Sequence, residues 1–382
     1  MTQPSPLVPG PRTAPDERAP SSPARAAELV PRPAHVGEAP PAHGAEPVAL
    51  PAADPAALSE LVPDTVLDGA HYGSLTLRAA SVRGEAARRS GDLRADALLT
   101  ARFGEGENAL LMVAVAAGPR GVPGAHRAAR EVCQSIGGAL GRSHARLVED
   151  IHGGRREALK SGLNRLTDRS YGMLRAQAAA LGLRPDQYTA DLRCLLLPAD
   201  PRCSTRVFFG AGEGGLLRLR DGSWQDLEPA VPDEKDVTGA PVVGYGARPY
   251  EPTGAQDRAA APEPTMDLRI QPLGQPPGQP PGPAPAPPDP RETPQGAEAE
   301  GFRRRRFRFR ASVARPGDTL LLCSPGFAAP MREEPAFAAH LAARWGEVAK
   351  GEPPGLAAYL ADVQLRARGH DGDRTAVAVW ES

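Results

Sequence analysis

The chain has 382 residues, and its 45 basic and 46 acidic side chains give a formal net charge of −1. A charge so near zero gives no indication of the basic surface that nucleic-acid binding requires, so we expect no nucleic-acid partner. The 44 prolines concentrate in two tracts, whereas most of the 41 glycines lie outside them. Outside those tracts, about 250 residues have the periodicity of an ordered domain.

The sequence contains no pattern typical of a secreted or membrane protein. Its N-terminal residues lack the apolar region of a secretory leader. The longest apolar run, Ala109 to Ala117, is about half as long as a membrane span. Four cysteines lie far apart without a Cys-x-x-Cys pair, which argues against a zinc site and fits a reducing compartment. We therefore expect a soluble cytoplasmic protein without membrane contact.

The first half of the chain predicts a tail followed by strands and a pair of helices. Residues 1–68 are rich in Pro and Ala and have too little apolar periodicity to fold, so we expect a disordered tail. The third strand ends abruptly at a Gly-Pro-Arg-Gly turn. The predicted strands are Ser74–Val82, Asp96–Phe103, Ala109–Ala117, Thr189–Leu197, Thr205–Gly210 and Leu216–Leu219, and the helices are Gly124–Leu140 and Arg155–Leu181.

The second half begins with a Pro-rich segment, residues 251–301, which predicts an extended, disordered insertion. After it, alternation over Phe307–Val313 predicts a strand with its phenylalanines inward and its arginines toward water. A buried strand, two helices and a last strand follow, at Asp318–Ser324, Pro335–Val348, Gly355–Arg366 and Arg374–Trp380. Consecutive strands with helices in pairs favour an α+β sandwich, so residues 69–250 and 302–382 are predicted to form one domain in two parts.

Several short strings occur in an order that is similar to one family. They are Ser81–Gly84 with Asp96 and Ala97, the run LLMVAVAAGPRG, Arg315–Phe327, Asp373–Val377 and, more weakly, Val207–Gly212 with Leu217–Gly222. Together they resemble the metal-dependent type 2C (PPM) protein serine/threonine phosphatases, in the form common in actinobacteria. The resemblance implies a four-layer α-β-β-α sandwich, with two antiparallel sheets between helices. It also implies chemistry in which two Mg²⁺ or Mn²⁺ ions activate a water for attack on phosphoserine or phosphothreonine.

When the family's metal ligands are mapped residue by residue onto this sequence, most of the site that the resemblance implies is missing. Asp96 keeps the first acid, whereas the other acid positions fall on Ala117, Ala211, Pro325 and Gly372. Alanine, proline and glycine have no side-chain oxygen, and hard divalent cations require oxygen ligands. The remaining candidates for metal binding are Asp371 and Asp373 beside the lost position, with Glu213 as a weaker one.

The family binds phosphate through an arginine near its first strand. Here the basic loop after the first predicted strand contains several arginines, and Arg88 and Arg89 are the candidates for phosphate binding. The alternative interpretation is that these arginines belong to a solvent-exposed loop without a binding role.

Three hypotheses follow from these observations. The first is a pseudophosphatase that needs no cofactor and acts as a binding or regulatory module, with a phosphoprotein or a Ser/Thr kinase as partner. The second is an active phosphatase that holds Mg²⁺ or Mn²⁺ in a site rebuilt from Asp96, Asp371, Asp373 and Glu213. The third is a scaffold that acts through its Pro-rich segments.

Overall fold

The computed structural model describes residues 35–37, 39–42, 44, 46–229, 306–346 and 352–382. The strands are β1 (His35–Val36), β2 (Thr65–Tyr72), β3 (Leu75–Val82), β4 (Asp96–Phe103), β5 (Leu110–Ala117), β6 (Asp191–Pro198), β7 (Thr205–Ala211), β8 (Gly215–Arg220), β9 (Ser223–Asp226), β10 (Phe307–Val313), β11 (Thr319–Cys323), β12 (Arg366–Ala367) and β13 (Arg374–Glu381). The helices are α1 (Glu85–Ser90), α2 (Ala125–His152), α3 (Arg156–Ala180), α4 (Pro325–Glu333), α5 (Pro335–Gly346) and α6 (Leu356–Val363).

Two antiparallel sheets form the centre of the domain. One has five strands in the order β10-β7-β6-β5-β4, and the other has six in the order β2-β3-β13-β11-β8-β9. The short strands β1 and β12 form a separate parallel pair. Residues on alternate positions of each strand point to opposite faces, so each sheet contributes one face to the space between the sheets and one to a helix layer.

Three apolar clusters fill the three spaces between the layers. Helices α2 and α3 pack on the five-stranded sheet through residues such as Ile136 and Leu163. Helices α4, α5 and α6 pack on the six-stranded sheet around Trp345 and Tyr359. The third cluster, which includes Val113, lies between the two sheets. The predicted four-layer α-β-β-α sandwich is therefore confirmed.

Several element boundaries differ from the sequence prediction. β2 begins at Thr65, before the predicted domain start at residue 69. The sequence prediction missed this strand because Asp68 and Gly69 interrupt its apolar pattern. The predicted basic loop contains α1. Helix α2 continues past Leu140 to His152, since further apolar residues such as Ile151 extend its buried face. The predicted insertion at residues 251–301 and the first 34 residues of the predicted tail lie outside the described residues.

In the part of the chain that the structure describes, none of the helices combines the length and apolar character needed to cross a membrane.

Candidate functional site

A cavity of about 250 Å³ opens at one end of the sandwich, where strands of both sheets begin or end. β4 begins there at Asp96, β5 ends at Ala117, β6 begins at Asp191 and α4 begins at Pro325. The segment just before β13 completes the wall. Two of the predicted degenerate positions, Ala117 and Pro325, therefore lie in the wall of this cavity.

Asp96 reaches across the cavity from the five-stranded sheet to the six-stranded sheet. Its Oδ2 accepts a hydrogen bond of 2.8 Å from the hydroxyl of Thr375 on β13. Thr375 Oγ1 in turn lies 2.7 Å from the hydroxyl of Ser81, its partner in register on β3. Because the Thr375 proton goes to Asp96, Ser81 donates to Thr375. Ser324 also donates to the Asp96 carboxylate, so the protein itself satisfies this buried acid.

Asp373 is bound by backbone N–H groups on both of its oxygens. Gly84 donates to Oδ1 at 2.7 Å, and Ala95 donates to Oδ2 at 2.6 Å. The backbone fits closely here, since a Cβ on Gly84 would lie 2.4 Å from the carbonyl carbon of Gly372. A Cβ on Gly326 would lie 2.1 Å from the carbonyl oxygen of Asp373. Asp373 thus connects the start of β13 to the turn after β3 and the start of β4.

The two carboxyl groups influence each other's ionisation. Burial raises the pKa of Asp96 to about 7, and the negative charge of Asp373 adds to this shift. Burial also raises the pKa of Asp373, although the backbone hydrogen bonds oppose the shift. The buried guanidinium of Arg94 lies close enough to favour the ionised form of both acids. It donates to the carbonyl oxygens of Asp96 and Ser81 at 3.1 and 2.9 Å.

Arg120 lies beside Gly372, one of the predicted degenerate positions. A Cβ built on Gly372 would lie 1.9 Å from a terminal nitrogen of the Arg120 guanidinium, so a side chain at this position would displace that exposed group. Arg120, which is largely exposed, also lies 3.5 Å from a carboxylate oxygen of the half-buried Asp371. Asp371 is not among the residues that line the cavity.

The structure also shows where the other candidate residues lie. Glu213 is exposed and lines the cavity, as does Asp191, which sequence reasoning missed. Asp191 sits at the start of a strand, and only the pairing of Ala117 with Asp191 in neighbouring strands brings it to this cavity. Ala211 is buried at the end of β7, on the same face of the strand as Phe209, and is not among the residues that line the cavity.

The predicted phosphate-binding arginines lie on α1. The guanidinium of Arg88 forms a two-pronged ion pair with Asp64, with one contact of 2.9 Å, and Arg83 joins the same carboxylate at 3.0 Å. These hydrogen bonds hold the pKa of Asp64 below its usual value, although burial alone would raise it. Arg89, the next residue, is exposed. Phosphate binding by Arg88 and Arg89 stays a prediction, and at Arg88 a phosphate would compete with Asp64.

Comparison with known proteins places this geometry in a family. The sequence profile of protein phosphatase 2C matches residues 83–363. The chain belongs to the protein phosphatase 2C family. A comparison with curated proteins finds no match.

Solved structures similar to this protein phosphatase 2C domain come from several bacteria. A serine/threonine phosphatase of S. agalactiae is 12% identical, with 81% of this chain and 100% of that chain covered and a TM-score of 0.43. The Mycobacterium tuberculosis serine/threonine phosphatase PstP/Ppp is 19% identical, with 81% and 99% covered and a TM-score of 0.41. PppA of Pseudomonas aeruginosa is 14% identical, with 81% and 99% covered and a TM-score of 0.42.

The residues of this protein phosphatase 2C domain do not fit a pair of divalent cations. Asp96 and Asp373 already accept hydrogen bonds from the protein, and Ala117 and Pro325 add no side-chain oxygen to the cavity wall. Among the residues that the structure describes, no three His, Cys, Asp or Glu side chains come together in a way that could hold an ion. Two close dications need several carboxylates to balance their charge.

Proposed function

We propose that this protein phosphatase 2C domain is catalytically silent and acts as a binding module in serine/threonine phosphorylation signalling, in the cytoplasm. The proposal rests on one observation: the remaining acids, Asp96 and Asp373, accept hydrogen bonds from the protein itself. Asp373 accepts backbone N–H groups on both oxygens, and Asp96 accepts the Thr375 hydroxyl, beside the cavity that contains the predicted degenerate positions Ala117 and Pro325. Carboxylates held in this way act as structural groups.

The retained core supports a role in binding. The strands and helices of the family are present with well-packed layers, whereas the sequence resemblance predicts that most acids needed for metal-dependent hydrolysis are replaced. A domain that keeps the fold of the family but lacks catalytic activity can still bind a partner of the active enzymes. A phosphoprotein or a Ser/Thr kinase is the partner class that follows from the family.

A phosphatase assay tests this proposal. Purified full-length protein is incubated with Mn²⁺ or Mg²⁺ and either a phosphothreonine peptide or p-nitrophenyl phosphate, and released phosphate or nitrophenol is measured. We expect no metal-dependent turnover above the no-enzyme blank. Metal-dependent turnover that disappears in Asp96→Asn would contradict the proposal.

One observation favours a second candidate, an active enzyme with a rebuilt site. Asp191 and Glu213 line the same cavity as Asp96 and Asp373. If these acids carry catalysis, activity with Mn²⁺ is expected in the wild type and is lost in Asp191→Asn and Glu213→Gln. The control is Asp168→Asn, a change to an exposed acid on α3, outside the cavity. This variant is expected to leave such activity unchanged.

A further inference from the structure

A second charged region lies at the other edge of the sandwich, where β10 is the outer strand of its sheet. Phe307 and Phe309 on β10 pack into the helix-side core. Alternation then directs Arg308 and Arg310 toward the space between the two sheets. Both arginines are half-buried, so the sequence prediction that they face water needs correction: the second sheet covers them.

The facing strand contributes arginines to the same space. On β8, Leu217 and Leu219 pack under the helices of the six-stranded sheet, which leaves Arg218 and Arg220 on the face toward the other sheet. The neighbouring turn before β11 adds Arg315, which is exposed. Arginines from two sheets thus meet at one edge.

Some of these charges are balanced by carboxylates. Glu228 Oε1 pairs with the deeply buried guanidinium of Arg193 and, at 2.7 Å, with Arg308. Arg220 pairs with Asp318, with its Nε 2.6 Å from Oδ1. These ion pairs are part of the fold, and Glu228 uses only its Oε1 in them.

Two of the arginines have only neutral partners. Arg218 donates to the amide oxygen of Gln225, its partner in register on β9, at 2.6 and 3.1 Å. Arg310 reaches across the gap and donates to the carbonyl oxygen of Leu227 at 3.1 Å. Within the described ranges, neither has a carboxylate at salt-bridge distance. We call Arg218, Arg310 and Arg315 the arginine edge.

The arginine edge is a region of local excess positive charge. Burial lowers the pKa of Arg218, and repulsion from Arg220 lowers it further; attraction to Asp318 opposes the shift, while Arg310 and Arg315 add to it. Like charges gathered in a partly desolvated slot raise the free energy of the free protein, and an anion between them would offset that cost.

We propose that the arginine edge binds a phosphorylated protein segment in an extended conformation, which adds to β10 as an outer strand. Guanidinium groups match phosphoryl oxygens with paired hydrogen bonds, better than they match a single carboxylate oxygen. The choice of a phosphorylated partner rests on the proposed function, whereas the position of the anion site rests on the arginines alone.

The shape of the region favours a peptide strand over a nucleic acid. Arg218 and Arg310 are half-buried between two sheet edges, with the exposed Arg315 beside them, whereas nucleic acids are bound by broad basic surfaces or grooves that follow a continuous backbone. β10 has no strand on its outer side among the described residues, so its backbone can pair with an added strand. Side chains at alternate positions of that strand would face the slot together.

The test is a binding measurement with a defined peptide. A fluorescein-labelled peptide, Ala-Val-phosphoserine-Val-phosphoserine-Val-Ala, places both phosphates on one face of a strand, and its binding to the full-length protein is followed by fluorescence anisotropy. The unphosphorylated peptide and a peptide with glutamate in place of phosphoserine serve as comparisons, as does a labelled single-stranded oligonucleotide. We expect saturable binding of the phosphopeptide alone, weakened by added salt.

Variants then locate the site. The double variant Arg218→Gln/Arg310→Gln is expected to raise the Kd of the phosphopeptide at least about tenfold, since two charge-assisted contacts are lost. Arg165→Gln/Arg175→Gln, two exposed arginines on α3, removes the same charge elsewhere and is expected to change the Kd less than about twofold. Arg315→Gln, at an exposed position, is expected to raise the Kd by about threefold. Because this change should not disturb folding, it also tests the site if the double variant does not fold.

The outcomes separate this inference from the proposed function. It is overturned if the wild type does not bind the phosphopeptide, if the glutamate peptide or the oligonucleotide binds as tightly, or if the α3 control weakens binding as much as the double variant. Phosphate release from the same peptide is measured in parallel. Release would contradict catalytic silence, while a tenfold loss of binding in the double variant would still support the site.

Discussion

The acids at Asp96 and Asp373 and the arginines at Arg218 and Arg310 lie between the same two sheets, at different edges. At the first edge, backbone N–H groups and hydroxyls of the protein satisfy the carboxylates. At the second, the guanidinium groups donate to an amide and a carbonyl oxygen, and no carboxylate of the described residues lies at salt-bridge distance from them. A buried charge that the fold already satisfies serves the fold, whereas an unbalanced charge at an open edge is available for a ligand.

The largest expected effect is at Asp373. Asp373→Ala leaves the N–H groups of Gly84 and Ala95 without their acceptor in a buried site. We expect the free energy of unfolding, measured by urea titration, to fall by about 3 kcal/mol.

The matched control for this change is Asp371→Ala, two residues away. Its half-buried carboxylate lies 3.5 Å from the exposed Arg120, and a loose ion pair of this kind contributes little, so the change should alter the free energy of unfolding by less than about 0.5 kcal/mol. Equal effects of the two variants would show that Asp373 is not the structural acid of this edge.

The next effect in size concerns the hydroxyl that Asp96 accepts. Thr375→Val keeps the shape of a buried side chain but removes the donor to Asp96 and the partner of Ser81. We expect a loss of about 1.5 kcal/mol in the free energy of unfolding. Thr100→Val removes a hydrogen bond to the exposed Asp68 and should cost less than about 0.5 kcal/mol. A loss at Thr375 no larger than at Thr100 would contradict the proposed network.

The pH dependence of stability tests the ionisation of Asp96. Its pKa in the folded protein, about 7, lies above the unfolded value of 3.8, so the native state binds this proton more tightly. The contribution to stability is therefore full below about pH 4 and is lost as the pH rises through 7.

We expect the stability of the wild type relative to Asp96→Asn to fall by about 1 kcal/mol per pH unit between pH 5 and 6. Thermal unfolding at pH 5, 6, 7 and 8 of both proteins checks this difference. Parallel pH profiles would mean that burial does not raise the pKa of Asp96.

The smallest effect is expected at the arginine edge. Arg218→Gln removes a charge that other arginines repel, so the free energy of unfolding should stay within about 0.5 kcal/mol of the wild type or rise slightly. Its neighbour on the same strand is the contrast, because Arg220→Gln leaves the buried Asp318 without its ion pair and should cost more than about 1 kcal/mol. If Arg218→Gln lowered the free energy of unfolding more than Arg220→Gln, Arg218 would serve to stabilise the fold, which would contradict its assignment to a ligand site.

The sequence predicted the layers of this fold because its buried strands and amphipathic helices are local patterns. The apolar run that became β5 and the periodic face of α2 can be recognised without knowing their neighbours. β2 was hidden because Asp68 and Gly69 interrupt its pattern, and only pairing with β3 makes it a strand.

The role of the site residues could not be predicted in the same way. Asp373 was a candidate metal ligand because of its position in a string, yet its donors, Gly84 and Ala95, are nearly three hundred residues earlier in the chain. The cavity position of Asp191 and the bridge from Arg310 to Leu227 also arise from contacts between distant segments. Periodicity carries no information about such contacts, so these residues could be identified only in the folded structure.

The central claim is that the cavity at Asp96 and Asp373 does not hold the dinuclear metal site of the family. Isothermal titration of the full-length protein with Mn²⁺ measures this directly, with Asp96→Asn titrated beside it. The account predicts no saturable binding at micromolar concentrations and the same trace for both proteins. Stoichiometric binding of two ions in the wild type, abolished by Asp96→Asn, would contradict it.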